Sequence, residues 1–415
     1  MSHIIRKLFL FFVLFSGVYA KAQTNNLTSS PYSLFGLGVM NDVNTGKTNA
    51  LGKSGIALSN EYELNNINPA SYSAIPKNSF FMDIGAKGEN TYYENRDAGQ
   101  KNSIMNVSNI AFGFGLSEDS GIGVTLLPYT NVGYKLEAAT ASIEGSPETY
   151  NSVVNGWGGL NLLQFNYGKK INSKLDLGVR LNWFFGEINE NETIAIANDG
   201  LIITDDNHYG GMQVGIGATY KFSNRFTLGL IANSPVSLNG RRNRVYTRVS
   251  QGESIELENI ENQSIDDFKL PLEVGTGVKF SYKKFTFNAD YKRSFWSDTN
   301  MTDNLGTFVD QDFIGMGAEY MADPEGRNYF QRVRYRAGLN YDNGYMEING
   351  KRIKNAALTL GLGIPVHFKR NSFINLSYSY GQKGQVSNIL VKENYHMFTV
   401  NLSLEDIWFV KIKYN

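Results

Sequence analysis

Residues with the chemistry to form a site are few in this chain, and the most conspicuous are three arginines. The run QRVRYRAGLNY places Arg332, Arg334 and Arg336 at every second position, interleaved with Val333, Tyr335 and Ala337. On a strand, that spacing puts guanidiniums on one face and apolar side chains on the other. Guanidiniums face hydrocarbon only at high cost, so they call for a wet interior and carboxylate partners. Glu273, Glu319 and Asp290 are the expected partners. A structural charge network is the first reading and an anion pore the second. Enzyme chemistry finds less support. The four histidines, His3, His208, His367 and His396, show no metal-ligand spacing, and cysteine is absent. Glycines recur within strand patterns, not in the strand–turn–helix context that cradles phosphate. No serine or carboxylate pair is tied to a base. The expectation is a non-enzyme without catalytic, metal or cofactor-binding residues. With 39 basic and 39 acidic residues, the chain also offers no electrostatic footprint for nucleic acid.

The elements that must position these residues announce themselves by a period of two. Across 174–186, Leu175, Leu177, Val179, Leu181, Trp183 and Phe185 alternate with polar or small neighbours. Phe285, Phe287, Ala289 and Tyr291 do the same across 284–292. Fourteen such strand cores are expected, at 79–87, 105–116, 120–127, 159–168, 173–186, 211–221, 225–233, 271–280, 284–293, 311–320, 331–341, 356–367, 371–380 and 395–404. Short connections alternate with long polar ones at 88–104, 128–158, 187–210, 234–270, 294–310, 342–355 and 381–394. That rhythm, with an even strand number, is what a transmembrane β-barrel requires, with short periplasmic turns and long extracellular loops. A bilayer also demands that the sheet close. The fold class expected is therefore all-β, an antiparallel barrel of about fourteen strands.

The registers assign faces. Phe226, Leu228, Leu230, Leu358, Leu360, Leu362, Ile364 and Val366 should meet lipid. Glycines fall on the inner face, among them Gly113, Gly115, Gly215, Gly217, Gly275, Gly277, Gly315 and Gly317. Either an internal plug approaches them closely or they relieve crowding in a curved sheet. Tyr129, Tyr167, Trp183, Tyr220 and Tyr320 fit interface belts, or simply a buried sheet.

Four regions are expected. Residues 1–22 read as a cleaved signal peptide: Arg6 and Lys7, an apolar run, then small residues ending at Ala22. Residues 23–78 lack strand periodicity, are rich in turn formers, and carry Tyr32, Phe35, Leu37 and Ile67. They read as a hatch lodged in the lumen of a barrel at 79–405. Residues 406–415 read as a periplasmic tail.

At the hatch the chain resembles the FadL-like family of outer-membrane proteins, the long-chain fatty-acid transporters, and especially its Bacteroidetes branch. The matching pieces are Asn68, Pro69 and Ala70 within NNINPASYSAIP (with Asn65), SSPYSLFGLG at 29–38, LPYTNVGY at 127–134, the fourteen-strand pattern and the terminal WFVKIKY. The resemblance implies a monomeric barrel in the outer membrane of a Gram-negative cell, in contact with its lipid. It also implies passive uptake of small hydrophobic compounds through the hatch and a lateral gap at the third strand. By position, Leu127, Pro128, Tyr129 and Tyr134 would border that gap. The same branch includes accessory subunits, one of which plugs a type 9 secretion channel. The charged stretch at 234–270 favours this alternative, a non-transporting subunit docked on a secretion-channel protein.

Overall fold

The computed structural model describes residues 27–59, 62–137, 141–142, 149–196, 199–303, 306–366, 372–387 and 390–408. The signal-peptide reading, His367 and the last seven residues lie outside them. Fourteen antiparallel strands form a closed barrel. In order they are β1 Ser79–Glu94, β2 Gly99–Ser117, β3 in two pieces (Ser120–Pro128 and Thr130–Glu137), β4 Thr149–Lys170, β5 Leu175–Ile196 and β6 Asp199–Lys221. β7 (Phe226–Asn233, Val236–Ser250) and β8 (Glu253–Leu270, Glu273–Tyr282) are also interrupted once. β9 Phe285–Ser294, β10 Gln311–Met321, β11 Arg334–Asp342, β12 Asn355–Pro365, β13 Phe373–Lys383 and β14 Lys392–Ile407 complete the wall. The wall closes where β1 pairs with β14, from Ser79↔Ile407 to Glu94↔Lys392. Closure is what hydrocarbon enforces, because an open edge would leave backbone groups with no water to bind.

Each of the fourteen expected cores overlaps one strand and overruns its ends by at most three residues. Alternation sets the faces: on β5, Leu177, Val179, Leu181 and Trp183 point outward and are exposed, while Asp176, Arg180 and Asn182 are buried inside. Leu358, Leu360 and Leu362 are likewise exposed on β12. Two details differ from the sequence reading. Tyr129 is not a belt residue; its ring packs inside on Phe184, with centroids 4.7 Å apart. The stretch 331–333 is not strand, because Asn328 and Gln331 form a capping box that starts a one-turn helix, Tyr329–Arg332.

The long connections are the larger correction. Stretches at 88–104, 187–210 and 234–270, read as polar loops, are mostly strand continuing past the membrane. β5 and β6 run for 22 and 23 residues, where about 9–11 tilted residues suffice to cross a bilayer. Their outer halves carry polar runs at 189–193 and 204–208, and Asp205 of β6 pairs with Arg244 of β7. A small sheet of Thr302–Asp303, Gly306–Phe308, Met346–Ile348 and Lys351–Arg352 lies within the stretches 294–310 and 342–355.

Candidate functional site

The described residues of the luminal segment, 27–59 and 62–78, pack against the inner face of the barrel, and glycine is what lets them in. A Cβ added at Gly217 would sit 2.1 Å from Asn68 Oδ1. At Gly338 it would lie 2.2 Å from the Gly52 nitrogen, and at Gly178, 2.3 Å from the Ala70 nitrogen. Close approach of an internal segment, rather than curvature, is thus the reason for these inner-face glycines.

Asn68 stands at the centre of the deep part. Its side chain caps the 3-10 turn Pro69–Ala74 by accepting from Ala70 N–H at 3.0 Å. Its Nδ2 donates to the carbonyls of Ile56 (2.8 Å), Ala218 (3.1 Å) and Leu230 (3.4 Å), so one amide ties the turn to β6 and β7. Asn65 Nδ2 donates to the carbonyls of Gly55 and Leu58, both at 2.7 Å. Pro69 occupies the first turn position, where a missing N–H costs nothing. Ala70 is fully buried. From the wall, Arg180 reaches in to the carbonyls of Asn66 and Ile67.

The arginines divide. Arg334 donates to Glu63 Oε2 at 2.9 Å and lies over the Phe373 ring. Arg336 donates to Glu319 at 2.6 Å and to Glu63 at 3.3 Å. Lys47 lies 3.9 Å from the same Glu63, and Asn375 Nδ2 donates to its other oxygen at 2.8 Å. The hub is therefore Glu63, on the luminal segment. Burial by itself would raise its carboxyl, but the charges of Arg336, Arg334 and Lys47 hold it below the usual carboxylate range. Three expected roles need correction. Arg332 ends the one-turn helix instead of standing on β11, and lies over Tyr329. Asp290 accepts from the N–H groups of Gly55 and Ile56 (2.9 Å to the latter), not from arginine. Glu273 accepts from Asn233 at 2.9 Å. Sequence reasoning missed Glu63, because a lone acid in a turn-rich stretch carries no periodic signal. Its clue was scarcity: only Asp42, Glu61 and Glu63 are acidic across 27–78.

Nearer the extracellular mouth, packing is apolar. Tyr32, Phe35 and Leu37 of the luminal segment bury against Leu127, Leu160, Leu162 and Phe184 of the wall, and against Phe268, Trp296, Phe308, Met346 and Ile348. Leu127 is thus a core residue at the mouth. Between this cluster and the deep turn is a cavity of about 320 Å³ with a mixed lining, in which Asn41, Asp42, Lys53, Lys87, Glu273 and Lys292 stand among apolar side chains such as Val39, Ile67, Phe184 and Trp296.

The wall changes at β3. β2 and β3 pair only up to Ile110↔Leu126. Past Pro128, β3 turns to a new partner on that side: Asn131 and Thr130 pair with Val39 and Met40 of the luminal segment. Asn41 N–H donates to the Tyr129 carbonyl at 2.8 Å, and Gly133 N–H to Ser33 Oγ at 3.2 Å. Proline ends the ladder here because it has no N–H to donate. Tyr134 lies further out, its hydroxyl donating to Glu190 at 2.5 Å.

Solved structures share this architecture. The CymD monoaromatic hydrocarbon channel matches with TM-score 0.61 at 15% identity, covering 89% of this chain and 99% of that one. The Pseudomonas putida toluene transporter TodX matches with TM-score 0.59 at 16% identity (88% and 99%). A Pseudomonas aeruginosa FadL homologue matches with 0.58 at 11% identity (89% and 100%). At such identities the likeness is one of fold, that of a FadL-like outer-membrane barrel. No curated protein matches the sequence. The family model described as BamG matches residues 4–415, and the chain belongs to the BamG family.

Proposed function

We propose that this barrel is a closed docking component of the outer membrane, a fixed body on which another protein, such as a secretion channel, is held. The observation that carries this reading is the anchoring of the luminal segment. The deep turn is hydrogen-bonded to β6 and β7 through Asn68, pinned by Glu63 to β11, and overlaid by an apolar cluster built from the protein's own side chains. A conduit for hydrophobic molecules needs a continuous apolar route, whereas charged side chains such as Asp42, Lys53, Lys87 and Lys292 interrupt the lining of the cavity here.

A second reading is favoured by the break between β2 and β3. In it the luminal segment yields as a hatch, and small hydrophobic compounds pass out sideways near Leu127, Pro128, Tyr129 and Tyr134. The channels of similar fold are described as taking toluene and monoaromatic hydrocarbons. Purification from native membranes without crosslinker separates the two, with copurifying proteins and extracted small molecules both quantified. Docking predicts a stoichiometric protein partner and no retained hydrophobic compound. A monomer that retains such a compound in its lumen reverses the choice.

A further inference from the structure

The two lips of the break at β3 are treated differently. The β3 lip is satisfied from inside, by Val39, Met40, Asn41 and Ser33. The β2 lip is not. Beyond Ile110, β2 pairs with β1 alone, along a run that reaches out to Gly99. Among the described residues, the further hydrogen bonds on that run are local or on its inner face: Ser103 N–H to its neighbour Asn102, the Asn106 side chain to the Leu27 carbonyl, and the Asn109 side chain with Asp83 and Asn401.

By register, this bare edge runs beside outward-facing apolar positions of the wall. Val107 is level with Ala86 and Val400, and Met105 with Gly88 and Phe398, by the registers of β1 with β2 and β14. Val400 and Phe398 are lipid-facing, exposed by 47% and 58%. Met105, at 78%, is more exposed than either, because no strand flanks it on one side. A bulge between Gly85 and Ala86 re-aims β2 where it parts from β3, a device that marks the end of pairing in barrel walls. Lipid has no donors or acceptors for a row of backbone groups, so beside such positions the complement to the row is another strand.

We propose that residues 104–109 of β2 are a docking edge that takes an added transmembrane β-strand from a second outer-membrane protein. The partner must bring a free edge of its own, so it is a barrel or hairpin not closed upon itself at the contact. Main-chain hydrogen bonds give the attachment, and Met105 and Val107 give the outward apolar contacts. The inference deepens the docking reading and rests on it.

The test uses the full chain in native membranes, with a photocrosslinking amino acid at Met105 or Val107 and control positions at Val179 and Ile216. The expected result is one protein adduct from 105 and 107, mapping to a transmembrane strand of the partner, and at least a tenfold lower yield from the controls. Prolines at Met105 and Asn106 sharpen it, because adjacent residues direct their backbone groups to opposite edges. One of the two should leave a heat-modifiable barrel yet abolish the adduct from Val107. Adducts to lipid or to added toluene alone overturn the proposal, as do adducts to a soluble region of the partner. If both prolines disturb the barrel, the adduct map from the unsubstituted backbone still decides. A stoichiometric partner that crosslinks elsewhere would sink this edge and spare the docking reading. No copurifying partner would sink both.

Discussion

Residues 45–59 and 62–78 of the luminal segment meet the barrel through glycine backbones and buried charge, whereas residues 27–44 meet it largely through apolar side chains and a two-residue strand. The deep half has one geometry: Asn68 binds three carbonyls at once, and Glu63 sits among Arg334, Arg336 and Lys47. The outer half lies on the cavity and on the break in the wall. Contacts of hydrogen-bonded charge tolerate little displacement, while hydrophobic contacts are non-directional. On the proposed reading, the difference would make the deep part of the luminal segment the fixed part and the outer part the adaptable one.

The strongest way to break this contrast is Glu63→Gln. It leaves three buried cations facing one another around Glu319, and the loss should be about 3–5 kcal/mol, typical of removing one partner from a buried pair. Thermal unfolding, followed by heat-modifiable migration, would show it; an unchanged transition would mean the hub does not hold the deep half. The same residue sets a pH dependence. Glu63 lies below its ordinary value when folded, so its contribution is complete above the usual carboxylate range. It is lost as pH falls through the lowered folded value. Melting curves taken from about pH 7 to about pH 3 should fall more steeply for the native chain than for Glu63→Gln.

A smaller effect is expected at the glycine contacts. Gly217→Val drives a side chain into Asn68 and Pro69, and overpacking of this kind costs about 1–3 kcal/mol. Gly252→Val, at an outer turn with nothing within 4 Å, is the comparison for space, though its positive backbone angle adds strain of its own. The smallest change is Ser33→Ala, which removes one hydrogen bond to Gly133 and about 0.5–1.5 kcal/mol. It should raise hydrogen exchange at Gly133 and leave the deep half untouched. Faster exchange at Asn68 as well would mean that the two halves move as one.

Legibility in the sequence followed periodicity. Where one strand face met lipid and the other met the plug, alternation was strict, and strand cores and faces such as those of Leu177 to Trp183 could be read directly. Past the membrane both faces are wet, so Thr204 to Asn207 and Arg241 to Arg244 carry no apolar period although they pair as strands. Arg334 and Arg336 were legible by spacing, but their hub was not, because Glu63 is joined to β11 only through the fold. Arg332 misled because the alternation continues through it, while the capping box of Asn328 and Gln331 starts a one-turn helix that runs to it. The break at β3 was signalled by Pro128. Its internal strand, Val39–Met40, was too short to leave any pattern.

The central claim, that the lumen works closed, is tested most directly by locking it. Cysteines at Ser54 and Asn288, whose side chains touch across the plug and β9, would be the only pair in a cysteine-free chain. With the disulfide formed in the native membrane, the account predicts that the stoichiometry of the copurifying partner is unchanged from that of the unlocked protein. Loss of the partner, or of uptake of a hydrophobic compound, on oxidation and its return on reduction would contradict it, because either result requires a plug that moves.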